Sequence, residues 1–249
     1  MTTVISGAEA FFISGNKIGI LLCHGFNGTP QSVEYLGKQF ANAGFTVYAP
    51  RLRGHGTNAA DMENFNHKDW IEDLETAFLQ LKKTCHKIFV VGQSMGGALA
   101  LDLAGKYMID GIVCINAALR VPDLEPYKGL GAPRFIADET PDINDSTAQE
   151  ITYSKVPLTA VHSLLSLMEH AKKGLKKVSC PVQLFVSPED HVVPAQCSYE
   201  IYHMISSTVK QIMPLHRSFH VASLDFDKDL IAAASINFVK ERSTGSLAS

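Results

Sequence analysis

A chain of 249 residues that is 46% hydrophobic and 19% charged can bury a sizeable core, which excludes a disordered chain and fits one large α/β domain. A net charge of −3 with no Lys/Arg block excludes nucleic acid as the main partner. No apolar run reaches membrane-spanning length, and the N-terminus has neither a basic segment nor a long apolar one, so no signal peptide is expected.

In chain order, residues 8–13 and 18–23 read as two strands of a hairpin with its turn at Gly15-Asn16. The second strand runs into His24-Gly25-Phe26-Asn27-Gly28, a loop whose glycines suit close backbone approach. A helix over 32–43 stops at Gly44, and 45–49 is a short strand. Residues 51–57 form a loop. Residues 70–82 place Trp70, Ile71, Leu74, Phe78 and Leu81 at helical spacing. A strand at 88–91, a helix at 98–104 and a strand at 111–115 continue the alternation. This pattern predicts a mostly parallel central sheet with helices on both faces.

The alternation then breaks. Residues 120–173 carry Pro122, Pro126, Pro133, Pro141 and Pro157, together with an acidic, turn-rich stretch at 137–145. This is long for a plain loop, so it is expected to be a small inserted cap containing a helix over 161–168. The division expected is a core of residues 1–119 and 174–249 with a cap of 120–173. The repeat resumes with a strand at 182–186, a helix at 195–205, a strand at 209–213 and a helix at 228–240. The tail, 243–249, is expected to fray.

Between the strand at 88–91 and the helix that follows lies Gly92-Gln93-Ser94-Met95-Gly96, a G-x-S-x-G turn. Strand, sharp turn and helix in this order lift a serine hydroxyl above the sheet edge. Side chains at Gly92 and Gly96 would crowd such a turn. Ligands of parallel sheets bind beyond the carboxyl ends of the strands. Asp190, after the 182–186 strand, and His220, after the 209–213 strand, fall at such ends, so the chain order is Ser, Asp, His. Imidazole titrates near neutrality and can take the serine proton, while a carboxylate on its far nitrogen fixes the tautomer. The N–H groups of Phe26 and Met95 are candidate donors to an oxyanion. His24, His55, His191 and His216 are rival histidines, Glu189 and Asp123 rival acids. The final helix pattern and the pairing with Asp190 favour His220.

Five cysteines with no C-x-x-C spacing, three of them in apolar runs, fit a reducing, cytoplasmic setting. The ten histidines have no ligand spacing, so neither metal nor cofactor is expected.

The chain resembles the bacterial monoacylglycerol lipases of the α/β-hydrolase superfamily, and more loosely the bacilli-type carboxylesterases. The resemblance rests on His24-Gly25-Phe26, Pro50-Arg51-Leu52-Arg53-Gly54-His55-Gly56-Thr57, Asp69-Trp70, the Gly92–Gly97 stretch, Ser187 to Pro194 and Ser218-Phe219-His220-Val221. It implies an α/β-hydrolase fold with Ser94 as nucleophile, Asp190 as acid, His220 as base, and Phe26 and Met95 as oxyanion donors. It also implies a cap that shapes an acyl tunnel and a glycerol pocket. In the family a cap glutamate in a Tyr-Glu-Lys-Thr-Pro-like stretch bonds the glycerol hydroxyls. Here that stretch is Tyr153-Ser154-Lys155-Val156-Pro157, which puts Ser154 in its place with Glu150 as a nearby substitute. Leu164 and Met168, with Leu158, Leu165 and Leu167, either line an acyl channel or form the cap helix's packing stripe. The expected reaction is hydrolysis of single-chain carboxylic esters, monoacylglycerols first, through an acyl-enzyme on Ser94. The alternatives are short-chain, aryl or phthalate-type monoesters, and an inactive hydrolase fold serving as a ligand receptor. A carboxylated substrate would want a cation, for which Arg120, Arg134, Lys172 and Lys173 are the loose candidates. No integral membrane segment is expected, only a transient contact with a lipid surface. The oligomeric state is left open.

Overall fold

The computed structural model of the protein describes residues 2–138 and 141–244. Of the tail expected to fray, residues 243–244 instead continue the last helix, while the part beyond 244, and positions 139–140 of the acidic stretch, lie outside the described residues. In chain order the elements are β1 (Phe11–Ile13), β2 (Ile18–Cys23), α1 (Gln31–Asn42), β3 (Thr46–Ala49), α2 (Ala59–Met62), α3 (His67–Lys82), β4 (Lys87–Gln93), α4 (Met95–Ala104) and β5 (Gly111–Ile115). A 3-10 helix follows at Pro122–Tyr127, then β6 (Phe135–Ala137), β7 (Lys155–Pro157), α5 (Leu158–Gly174), a 3-10 turn at Leu175–Lys177, β8 (Val182–Val186), α6 (Gln196–Met204), β9 (Lys210–Pro214) and α7 (Lys228–Thr244).

The main sheet has seven strands in the order β1-β3-β2-β4-β5-β8-β9. Every pairing is parallel except that of the edge strand β1 with β3. The apolar runs of β2, β4, β5 and β8 are buried on both faces, which is why they read as continuous hydrophobic segments. Successive side chains alternate between two cores. Leu21, Val90, Ile112 and Leu184 join a core with residues of α3, α4, α5 and α6. Leu22, Val91, Val113 and Phe185 join a core with Val33, Leu36 and Phe40 of α1 and Ile231, Phe238 and Val239 of α7.

The structure corrects the expected hairpin. β1 does not pair with β2; it runs antiparallel to β3, with Phe11 opposite Ala49 and Ile13 opposite Val47. The Gly15-Asn16 segment passes the start of β3 instead of joining two neighbours. The Asn16 N–H donates to the Gly44 carbonyl at 2.8 Å, and the Gly15 N–H donates to the Thr46 hydroxyl at 2.9 Å.

Several helices extend beyond the stretches that predicted them, α3 and α5 among them. α3 starts at His67 because Asn66 caps it: the Asn66 N–H donates to the Asp69 carboxylate at 2.8 Å, and Asn66 Oδ1 accepts from the Lys68 N–H at 3.0 Å. α5 spans Leu158–Gly174, and its buried residues Val161, Leu164, Leu167, Met168 and Ala171 join the core that holds α4. Between β5 and α5 the chain forms the 3-10 helix and the two-stranded β6–β7 sheet, with Ile136 opposite Val156.

Candidate active site

Ser94 sits between the end of β4 and the start of α4 at φ +55°, ψ −116°, a backbone state that costs energy for any residue but glycine. Local crowding enforces it. A Cβ at Gly92 would lie 2.1 Å from the Gly96 carbonyl oxygen, and one at Gly96 would lie 2.2 Å from the Cys23 carbonyl oxygen. Only glycine lets the turn, the helix start and β2 come this close.

The Ser94 hydroxyl is 2.8 Å from His220 Nε2, and His220 Nδ1 is 2.8 Å from Asp190 Oδ2. With Asp190 ionised, Nδ1 carries the proton and Nε2 accepts from the serine. Asp190 is held in turn by two backbone donors, the N–H groups of Val192 at 2.9 Å and Val193 at 2.7 Å. The His220 carbonyl accepts from the side-chain amides of Gln93 at 2.8 Å and Asn116 at 2.9 Å. Its N–H donates to the Asp142 carboxylate at 3.1 Å. Burial opposes a charged imidazole at His220, but the carboxylates of Asp190, Asp142 and Glu150 outweigh it and hold the pKa above the ordinary histidine value.

The rival groups fall elsewhere. His24 and His55 are buried beneath the Phe26 loop, His191 bonds Asp142, and His216 and Glu189 are exposed. Asp123 is exposed at the cavity wall. Phe26 lines the cavity together with Ser94, and no backbone acceptor takes the N–H of Phe26 or of Met95 among the described residues. The Met95 N–H is also the first of α4, so the positive end of the helix dipole lies behind Ser94.

Ser94 and His220 open onto a cavity of about 610 Å³. Val121, Leu124, Tyr127, Ile136, Val156 and Leu164 give it apolar wall, while Asp138, Asp142, Glu150, Thr152 and His191 supply polar wall. No lysine or arginine lines it among the described residues. Of the candidate cations, Arg134 grips Glu63 through two bonds and Lys172 pairs with Glu200. The Glu150 carboxylate lies against Gly28, where a Cβ would meet Glu150 Oε1 at 2.6 Å, and burial pushes its pKa up to about 7.

Two expected substrate contacts are not brought here. Ser154 is exposed and outside the cavity lining. Its neighbour Tyr153 is pinned inward: the phenol donates to the Gly54 carbonyl at 2.9 Å, and Asn27 bonds both backbone groups of the residue. That anchoring turns the next side chain to solvent. Met168 is buried in the α4–α5 packing and does not line the cavity; Leu164 does both. Asn116 and Asp142 are partners that motif reading missed.

Among the described residues no helix is long and apolar enough to cross a membrane, and no cluster of three His, Cys, Asp or Glu could hold a metal ion.

The family described as serine aminopeptidase, S33 matches residues 16–227. The chain is 42% identical over 238 residues to the thermostable monoacylglycerol lipase of Bacillus sp. (strain H-257), covering 94% of this chain and 95% of that one. It is 24% identical to a carboxylesterase of Bacillus subtilis (strain 168), over 94% of this chain and 96% of the relative. A solved structure from work on LipS and LipT, two metagenome-derived lipolytic enzymes, superposes with a TM-score of 0.93 at 40% identity, covering 96% of this chain and all of the other. A family match across most of the sequence, near-complete overlap with relatives of this similarity, and the mostly parallel seven-stranded sheet place the chain in the serine aminopeptidase S33 family of α/β-hydrolases, among the bacterial monoacylglycerol lipases and carboxylesterases.

Proposed function

We propose that the protein is a carboxylic ester hydrolase that cleaves monoacylglycerols to glycerol and fatty acid through an acyl-enzyme on Ser94. Ser94 Oγ attacks the ester carbonyl while His220 Nε2 takes its proton. Asp190 holds the imidazole and stabilises its charged form. The N–H groups of Phe26 and Met95 receive the oxyanion. His220 then passes the proton to the departing glycerol. Water, activated by the same histidine, releases the fatty acid and restores Ser94.

The observation that carries this reading is the unbroken chain of 2.8 Å contacts from Ser94 through His220 to Asp190, opening onto a cavity with both apolar and polar wall. A single acyl chain fits against Val121, Leu124, Ile136, Val156 and Leu164. Glu150 and Thr152 offer hydrogen bonds to a diol. The 120–173 segment serves as the cap. The 42% relative, itself a monoacylglycerol lipase, supports the substrate. Five free cysteines support a reducing, cytoplasmic setting.

Short-chain and aryl esters are the second reading, favoured by the carboxylesterase relative. Esters that carry a carboxylate, such as phthalate monoesters, fit poorly, because acids line the cavity and, among the described residues, no lysine or arginine does. The test compares kcat/KM for monolaurin, p-nitrophenyl butyrate and a phthalate monoester, with Ser94→Ala as control. Preference for monolaurin with a dead control supports the proposal. Preference for the aryl ester moves it to the second reading, and full turnover by Ser94→Ala overturns the site.

A further inference from the structure

Asp142 belongs to the segment between β5 and α5, yet its polar contacts run to the two loops that carry Asp190 and His220. Oδ1 lies 2.8 Å from His191 Nδ1, and Oδ2 accepts from the backbone N–H of His191 at 3.1 Å. The same Oδ2 accepts from the backbone N–H of His220, also at 3.1 Å. The Asp142 carbonyl accepts from the Val221 N–H at 3.0 Å. The side chain is 16% exposed, so these are partly desolvated, charge-assisted bonds. The His191 ring packs edge-on to Phe219, with centroids 4.7 Å apart, which closes the clamp on the residue before His220.

We propose that Asp142 is a positioning residue: its single carboxylate fastens the loop of His220 to the loop of Asp190, and it places a second negative charge beside the imidazole. This rests on the ester-hydrolase reading of the Ser94 site. Two consequences separate the role from simple packing. Seating of the cap and alignment of the imidazole become one event, because the same oxygen serves both loops. The basicity of His220 also depends on a charge contributed by the cap. The charged or titratable groups that face His220 are Asp190 from the loop after β8, Asp142 and Glu150 from the cap, and Ser94 from the turn before α4. His191 faces Asp142.

The substitution Asp142→Asn keeps the size and an acceptor oxygen for the backbone N–H groups but removes the charge. The acid limb of kcat/KM, read on p-nitrophenyl butyrate, is expected to move to lower pH by about half a unit or more. KM at the plateau stays within about twofold. Asp142→Ala removes the clamp as well, and kcat is expected to fall about tenfold or more. His191→Phe leaves the carboxylate in place and keeps a ring against Phe219 but removes the Nδ1 contact that holds Oδ1, so kcat is expected to fall about threefold or more; this variant decides the matter if the Asp142 variants do not fold. An acid limb unmoved in folded Asp142→Asn, or a parent-like kcat in His191→Phe, overturns the proposal. A parent protein with no turnover would instead overturn the ester-hydrolase reading, so the two failures are distinguishable.

Discussion

His24 and His55 pack edge to face beneath the Phe26 loop, with ring centroids 5.1 Å apart and both residues fully buried. His24 joins two loops: its Nδ1 lies 2.9 Å from the Gly25 carbonyl, and its Nε2 accepts from the Leu52 N–H at 3.2 Å. Both rings are therefore held neutral. Burial pulls His24 down to about 4, and burial together with the neighbouring His24 pulls His55 well below the ordinary histidine range.

A stability profile follows from this pair. The unfolded chain protonates these histidines near 6.5 and the folded chain does not, so between pH 6.5 and 4 the unfolded state binds more protons. Stability is complete above 6.5 and falls as pH drops through this window. His24 alone accounts for about 3 kcal/mol of that loss. His220 and Glu150 work in the opposite sense, since their raised pKa values add stability at low pH that is lost as pH rises through the folded values. Urea unfolding at pH 7 and pH 5 measures the balance. Relative to His24→Gln, the parent is expected to lose stability between pH 7 and pH 5; an identical pH dependence in the two would contradict a buried neutral pair.

Gly92 and Gly96 make the elbow a backbone problem. The atoms a new Cβ would meet are carbonyl oxygens at 2.1 and 2.2 Å, which no rotamer change can clear. Gly96→Ala is expected to cost about 3 kcal/mol or more, or to prevent folding. Thermal unfolding followed by near-ultraviolet circular dichroism reads this directly, and a parent-like Tm would refute the close approach.

Glu150 and Ser154 separate two accounts of diol binding. Glu150 lines the cavity and Ser154 faces solvent. Glu150→Ala is expected to raise KM for monolaurin about tenfold while leaving p-nitrophenyl butyrate nearly unchanged. Ser154→Ala is expected to change neither. Because burial sets the Glu150 pKa to about 7, the stronger acceptor, the carboxylate, prevails above that pH. KM for monolaurin should therefore fall as pH rises through 7, and this dependence should vanish in Glu150→Gln. Loss of diol preference in Ser154→Ala instead would restore the contact that motif alignment suggested.

These outcomes also mark what a sequence can carry. The elbow was legible because its chemistry is local: glycines crowd a serine within five residues, flanked by an apolar run and a helix. The parallel core was legible because doubly buried strands read as nearly continuous apolar runs. The hairpin misreading arose because Gly15-Asn16 has turn chemistry, whereas its true partners, Gly44 and Thr46, lie across α1. Ser154 was misplaced because position in a motif does not report that Tyr153 is pinned to Gly54 and Asn27. Asp142 gave no signal, since its partners His191 and His220 lie 49 and 78 residues further on.

The central claim is that Ser94, aligned by His220 and Asp190, is the nucleophile of an ester hydrolase. Treatment with a fluorophosphonate, followed by peptide mass spectrometry and residual activity on monolaurin, tests it most directly. One adduct per chain on the peptide holding Ser94, formed in step with loss of activity and absent from Ser94→Ala, is the predicted result. Full turnover of monolaurin by Ser94→Ala, or inactivation with the adduct on another residue, would contradict it.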